Sequence, residues 1–167
     1  MSIENDSGLN ALTAIDRLMA IMTMLRDKKH GCPWDLEQTI KSLLPYTLEE
    51  VYEVADAIEN NDLVELEDEL GDLLFQVIFY AQIAKEQGAF DFQDIAKAIS
   101  DKLVRRHPHV FPEGDIQQFG IPQDISAQQV VVNWETIKEF EREEKRKKGS
   151  KQSGQEFQSI LDDVPRA

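Results

Sequence analysis

The 167-residue sequence predicts an all-α fold, a helical bundle. Three observations lead there. Apolar residues recur at steps of three and four in five separate stretches, the period of a helix with one buried face. No stretch alternates apolar and polar residues with the period of two that a half-buried strand requires. Residues suited to helix ends, such as Pro45, Asp91 and Ser126, stand at the borders of the periodic stretches.

The first helix is expected over 9–27, where Leu12, Ile15, Leu18, Met22 and Leu25 share a face. Residues 28–40 read as a loop carrying Gly31-Cys32-Pro33-Trp34-Asp35. A second helix is expected over 46–60, just after Pro45, with Thr47 as candidate cap. Asn60-Asn61-Asp62 forms a short break. The third helix spans 63–86 and ends near Gly88; its run from Leu70 to Ala84 is apolar nearly all round, which marks a central buried helix. Asp91 can cap a fourth helix over 92–106, with Ile95, Ile99 and Leu103 on one face. Residues 107–124 hold three prolines and two glycines and form a loop. Ser126 can cap a fifth helix over 127–147, with Val130, Val131, Trp134 and Ile137 inward. One helical domain over 1–148 followed by a polar tail or linker over 149–167 is the expected organisation.

The chain carries 32 acids against 18 bases, a formal net charge of −14. That balance speaks against a nucleic-acid polymer as partner, because a phosphate-tracking surface needs a basic face. It leaves a small anionic substrate open, since local charge differs from net charge. The one cysteine, Cys32, allows no intramolecular disulfide, and no apolar run is long enough to span a membrane. The opening residues are polar and acidic, unlike a signal peptide. A cytoplasmic location without membrane contact is expected.

The chemistry is concentrated in two segments. Glu49, Glu50 and Glu53 fall within an arc of about 100° on the second helix, and Val51, Val54, Ala55 and Ile58 fill the adjoining arc. Glu50 thus borders the expected buried stripe. Glu69 and Asp72, three apart, share a face of the third helix. Carboxylates therefore project from a helix that otherwise reads as internal. Between Ser42 and Ala84 there are eleven acids and no Lys, Arg or His. Converging carboxylates without local cations repel one another, and a hard divalent cation resolves this. A solvated acidic face with interhelix salt bridges is the plain alternative, weakened on the third helix by its apolar surroundings. A di-iron bundle would need Glu-x-x-His and a zincin His-Glu-x-x-His, and neither occurs.

Lys102 and Arg106 share a face at the end of the fourth helix, next to Arg105. Such a cluster can hold phosphate oxygens; it can also merely compensate the helix dipole. Trp134 suits the core better than a base-stacking role, and Lys138 lies four residues on. Trp34 reads as a packing anchor. His107 and His109, either side of Pro108, read as structural, since zinc would need further ligands.

Glu49-Glu50-x-x-Glu53 followed by Glu69-x-x-Asp72 resembles the signature of MazG-type nucleoside triphosphate pyrophosphohydrolases. The resemblance extends through GCPWD at 31–35, PYTLEEVYE at 45–53, ELGDLLFQVIFYAQ at 69–82, KLVRRHPHVF at 102–111 and NWETIK at 133–138. It implies an all-α NTP pyrophosphatase fold with a four-helix core completed in a homodimer. It also implies Mg²⁺-dependent cleavage of (d)NTPs to (d)NMP and pyrophosphate, with Mn²⁺ as an alternative ion. By position, Glu50, Glu53, Glu69 and Asp72 would ligate the metal. Glu49 and Glu53 would have catalytic roles, Glu49 orienting or deprotonating the water. Lys102, Arg105 and Arg106 would contact phosphates, and Trp134 and Lys138 would lie near the nucleotide.

Family members often carry two such domains in tandem, and Leu161-Asp162-Asp163-Val164-Pro165-Arg166 resembles the connector before a second copy. The expectation is therefore a first copy of a tandem protein or a short form. Some copies place lysines where this sequence has Tyr46 and Glu65. The alternatives are a catalytically weak nucleotide-binding or dimerisation module, and a narrow dUTPase- or dCTPase-like activity.

Overall fold

The computed structural model describes residues 13–120 and 124–149, and every regular element among them is helical. The order is α1 (Ala14–Leu25), α2 (Pro33–Glu37), α3 (Ile40–Glu59), α4 (Leu63–Glu86), α5 (Phe92–Arg106), short 3₁₀ turns at Pro112–Gly114 and Ile116–Gln118, and α6 (Ala127–Gly149). The all-α expectation holds. The beginning of the first expected helix and all but Gly149 of the expected tail lie outside the described residues. The chain divides into two compact units, Met1–Ser100 and Asp101–Ala167.

In the first unit α3 and α4 form an antiparallel hairpin. Thr47 meets Tyr80 and Glu50 meets Gln76, so the partner number falls as the position rises. Asp62 caps α4 by accepting from the amides of Val64 and Glu65. Asn61 adopts φ 54°, a left-handed conformation that asparagine tolerates, and this lets a short link reverse the chain. α1 runs alongside α4 in the same direction, since Thr23 pairs with Gln82 and Arg26 with Glu86. The core consists of Met22, Leu43, Ile78, Phe79 and Ile83. Full burial of side chains this size stabilises by about 1.5–3 kcal/mol each.

Two expectations on α3 need correction. The helix begins at Ile40, not after Pro45, because Thr39 and Ser42 form a reciprocal capping box. Pro45 sits in the second turn, where it forfeits one backbone bond, and the helix runs on. Thr47 is consequently no cap; its hydroxyl bonds the Leu43 carbonyl and the Tyr80 hydroxyl.

The face of α3 turned to α4 is also not the predicted one. Leu43, Thr47, Glu50, Val54 and Ala57 recur at steps of four and three and are buried or half-buried. Glu50 lies in the middle of this seam, not at its border. Val51 and Ile58 are exposed. Along α4, Leu66, Glu69, Leu73, Gln76, Tyr80 and Ile83 form the matching line. α4 is internal only over its C-terminal half, where α1 and α3 both cover it; Leu70 and Leu74 remain exposed.

The loop before α2 is held by two devices. Gly31 packs so closely that a Cβ there would lie 2.3 Å from the Leu25 carbonyl oxygen. Arg26, with its side chain only 8% exposed, pairs with Glu86 at 2.6 Å. It also donates to the carbonyls of Asp35 and Gln38 and lies over the Phe79 ring. α2 itself places Trp34 against Tyr46, ring centroids 5.5 Å apart and nearly perpendicular, with both rings partly exposed.

The second unit contains the end of α5, the 3₁₀ turns and α6. As expected, Asp91 caps α5 through the amides of Gln93 and Asp94, and Ser126 caps α6 through Gln129. Trp134 of α6 is half-buried and meets the His107 ring edge-on at 5.1 Å.

Candidate functional site

The antiparallel seam is polar through its middle, and that is where the acidic group forms. Thr47 and Tyr80 share a bond of 2.7 Å at one level. One turn further along α3, the buried Gln76 donates its side-chain amide to Glu50 Oε1 at 3.4 Å. The next level holds Glu50, Glu69 and Asp72, which each offer a carboxylate oxygen within 4.8 Å of the others. Glu50 and Glu69 are half-buried and Asp72 is exposed.

These acids stay close at an electrostatic cost. Burial pushes the Glu50 carboxyl above its ordinary range, and the charge of Asp72 pushes it further; the Gln76 bond works the other way. Glu69 is also raised, first by desolvation and then by Glu53, Glu65 and Asp72. Among the described residues no lysine, arginine or histidine pairs with the three carboxylates. Three hard oxygen donors on two rigid helices fit a small divalent cation, which would remove the mutual repulsion. The donor set therefore suits a metal, and an acidic cluster able to hold one is present.

Glu53 stands one turn beyond Glu50, exposed, outside the group of three but close enough for its charge to act on Glu69. Glu49 is exposed on the neighbouring strip of α3, where an open cleft is lined by Leu48, Glu49, Tyr52, Glu53 and Asp56. Of the five expected acids, the structure thus gathers three and leaves Glu49 and Glu53 on the rim.

In the second unit Lys102, Arg105 and Arg106 come together at the side of an open cleft of about 670 Å³. Both arginines bind one carboxylate, that of Glu141. Arg105 donates Nε and NH2 to Oε1 at 2.9 and 2.6 Å. Arg106 donates NH2 to Oε2 at 2.6 Å and Nε at 3.2 Å. The pair of forks holds the Glu141 carboxyl down at about 2. Exposed ion pairs contribute only about 0–1 kcal/mol each, but each arginine carries about 2 kcal/mol of rotamer entropy that such bonds hold fixed. Trp134 and Lys138 do not line this cleft. Lys138 pairs with Glu135 at 2.7 Å, and the buried indole Nε1 of Trp134 has no partner among the described residues.

Sequence reasoning missed Gln76 and Glu141. Gln76 was detectable as a polar interruption of an apolar run, four residues beyond Asp72. Glu141 had no such signal, since it opens a block of mixed charges.

Residues 38–111 match the family model described as the MazG nucleotide pyrophosphohydrolase domain. The fold also matches the crystal structure of a mazG-related protein from Thermotoga maritima. That match has a TM-score of 0.58 and 30% identity, and it covers 74% of this chain and 98% of the other. The chain belongs to the MazG family. A nucleoside triphosphate pyrophosphohydrolase of Escherichia coli is 51% identical over 156 residues, 93% of this chain and 52% of that protein. A nucleoside triphosphate pyrophosphohydrolase/pyrophosphatase MazG of Thermotoga maritima is 45% identical over 114 residues, 68% of this chain and 44% of the relative. The chain spans about half the length, or less, of these curated relatives. The MazG match over 38–111 takes in all five acids and Lys102, Arg105 and Arg106, and ends before Trp134, Lys138 and Glu141. No helix among the described residues is long and apolar enough to cross a membrane.

Proposed function

We propose that this chain is a Mg²⁺-dependent nucleoside triphosphate pyrophosphohydrolase that cleaves (d)NTPs to (d)NMP and pyrophosphate. The observation that carries the reading is the convergence of Glu50, Glu69 and Asp72 on a MazG hairpin, with no counter-ion among the described residues. Glu53 joins these three as a metal ligand by repositioning a side chain from the next turn of α3. Mg²⁺, or Mn²⁺ in its place, supplies charge neutralisation for the phosphates when bound.

The chain's own residues do the rest. Glu49, on the exposed strip of α3 one turn before Glu53, orients a water toward the α-phosphorus and accepts its proton. Lys102, Arg106 and Arg105 take phosphate oxygens and stabilise charge on the leaving pyrophosphate. Trp134 and Lys138 contribute near the nucleotide, the indole N–H being unspent.

The working form is a homodimer in the cytoplasm. Leu44, Leu48, Val51, Ala55 and Ile58 recur at steps of four and three about 100° round α3 from its seam, and all are exposed. A second apolar stripe of this kind calls for another helix pair, and a second copy would complete a four-helix core.

One observation favours a weaker activity. Glu65 adds its negative charge beside Glu69, at a position where some family copies have lysine. A nucleotide-binding or dimerisation module of a tandem protein, spanning 1–148 with 149–167 as linker, is the second reading. A panel of NTPs and dNTPs, with and without Mg²⁺ and with products identified, separates the two. Release of pyrophosphate and NMP only with Mg²⁺ supports the enzyme; Mg²⁺-dependent binding without turnover supports the module. A strong preference for dUTP or dCTP would narrow the enzyme to a house-cleaning role.

A further inference from the structure

Arg105 and Arg106 are adjacent in sequence, so on a helix their side chains leave the backbone about 100° apart. Two guanidinium groups also repel. Yet both reach one carboxylate on α6, and that carboxylate is only 16% exposed. We propose that Glu141 is a positioning residue, holding Arg105 and Arg106 side by side so that they act as one receptor for a polyphosphate. This deepens, and rests on, the pyrophosphohydrolase reading above.

The bond pattern supports it. Each arginine engages Glu141 through its Nε and NH2 groups, and the NH1 group of neither takes part. A guanidinium has five N–H donors, so each arginine keeps donors for a second anion. Lys102, one turn before Arg106, lines the same cleft. Among the described lining residues, three cations stand against the carboxylates of Glu141 and Glu144, a balance of +1. Glu141 therefore lowers the positive charge without cancelling it, and supplies order in exchange.

A carboxylate that merely filled a phosphate's place would sit at the mouth of the cleft and leave readily. Glu141 instead is enclosed and takes charge-assisted bonds from both forks, which makes its displacement the harder course. Preorganised donors bind an anion without paying for their own ordering at the moment of contact.

The test compares the full chain with its Glu141→Gln and Glu141→Asp variants. Steady-state hydrolysis of dNTPs with Mg²⁺ gives KM and kcat, and calorimetry gives the affinity for inorganic tripolyphosphate. Glu141→Gln should raise KM by about tenfold, the scale of one charge-assisted bond, and lower kcat as well, because the same arginines stabilise the leaving pyrophosphate. Tripolyphosphate should bind weaker by a similar factor, and Glu141→Asp should recover part of both losses. Unchanged KM and tripolyphosphate affinity with a lower melting temperature would leave Glu141 a structural ion pair and overturn the proposal. Tighter binding in Glu141→Gln would overturn it too, by making Glu141 a competitor. Should the parent chain hydrolyse no nucleotide, the proposed function fails, while tripolyphosphate binding that Glu141→Gln weakens would still uphold the positioning role. A parent chain that binds no tripolyphosphate overturns it. If Glu141→Gln does not fold by circular dichroism, Glu141→Asp carries the same comparison.

Discussion

Gln76 lies buried in the α3–α4 seam and donates its amide to Glu50 at 3.4 Å, while its own carbonyl oxygen has no partner among the described residues. The residue thus serves Glu50 more than it serves the core. Gln76→Leu keeps the volume and removes the orphaned oxygen, so the metal-free fold should be as stable as before or more so. Glu50 would lose the bond that orients it. Orienting partners of metal ligands are typically worth about 10–100-fold in affinity. Mg²⁺ titration by calorimetry should show a loss in that range; an unchanged affinity would count against Gln76 as the group that sets Glu50.

Glu50→Gln and Asp72→Asn each remove one charge from the acidic group and preserve shape. Activity should fall by at least about 10²–10³-fold, the usual cost of losing one stabiliser of transition-state charge. Circular dichroism should show the helices intact. Without metal, Glu50→Gln should melt higher than the parent, because a half-buried carboxylate facing Asp72 is gone. Full activity in either variant would remove these residues from the metal site.

The acids divide into two sets with opposite pH behaviour. Glu86, bonded by Arg26, and Glu141, bonded by Arg106 and Arg105, are lowered, Glu141 to about 2. Their contribution is complete above the ordinary value of 4.5 and is lost as pH falls, for Glu141 between 4.5 and about 2. Glu50 and Glu69 are raised, so as anions they cost stability, and that cost is relieved as pH falls through their raised values. The metal-free chain should therefore melt highest in mild acid and lose stability below it. With saturating Mg²⁺ the mild-acid maximum should disappear. Calorimetric melting from pH 7 to pH 3 tests this; a monotonic decline without metal would contradict it.

Gly31→Ala tests the α1–α2 connection. The new Cβ would meet three backbone atoms of Leu25 and Asp27 at 2.3–2.8 Å, which no side-chain rotation relieves. Forced shifts of this kind cost about 1–3 kcal/mol. Thermal melting should fall by several degrees, and a melting point equal to the parent's would mean that the loop yields freely.

The helices were legible because their periodicity and caps agree: Asp91 and Ser126 were recognisable as caps from the sequence, and both act as such. Pro45 misled because a proline before an apolar run usually opens a helix, whereas Thr39 and Ser42 had already opened this one. The seam was misread for a related reason. Hydrophobicity pointed to Val51 and Ile58, but the line that faces α4 runs through Thr47 and Glu50, polar residues satisfied by Tyr80 and Gln76. Local pattern reveals which residues seek burial, not which partner supplies it. The metal-suited acids were found because acids without nearby bases need no contact map to look anomalous. Glu141 pairs across 36 and 35 residues of sequence with Arg105 and Arg106, a relation that local spacing does not carry.

The misread stripe itself yields the last prediction. Leu48, Val51 and Ile58 are 51, 47 and 56% exposed, one and two turns apart on the same side of α3. That side does not face α4, so it contributes nothing to the hairpin seam. Exposed apolar area of this regularity is costly in water and is a frequent mark of association. Val51→Glu places a charge at the middle of the stripe without touching the carboxylates on the seam. If a second copy covers α3, sedimentation should show the parent as a dimer and Val51→Glu as a monomer, with the helical signal retained. Activity should fall with dilution of the parent and be low throughout in the variant. A parent chain that sediments as a monomer at every concentration would mean that this face has some other use, and that the acidic group works without a second copy.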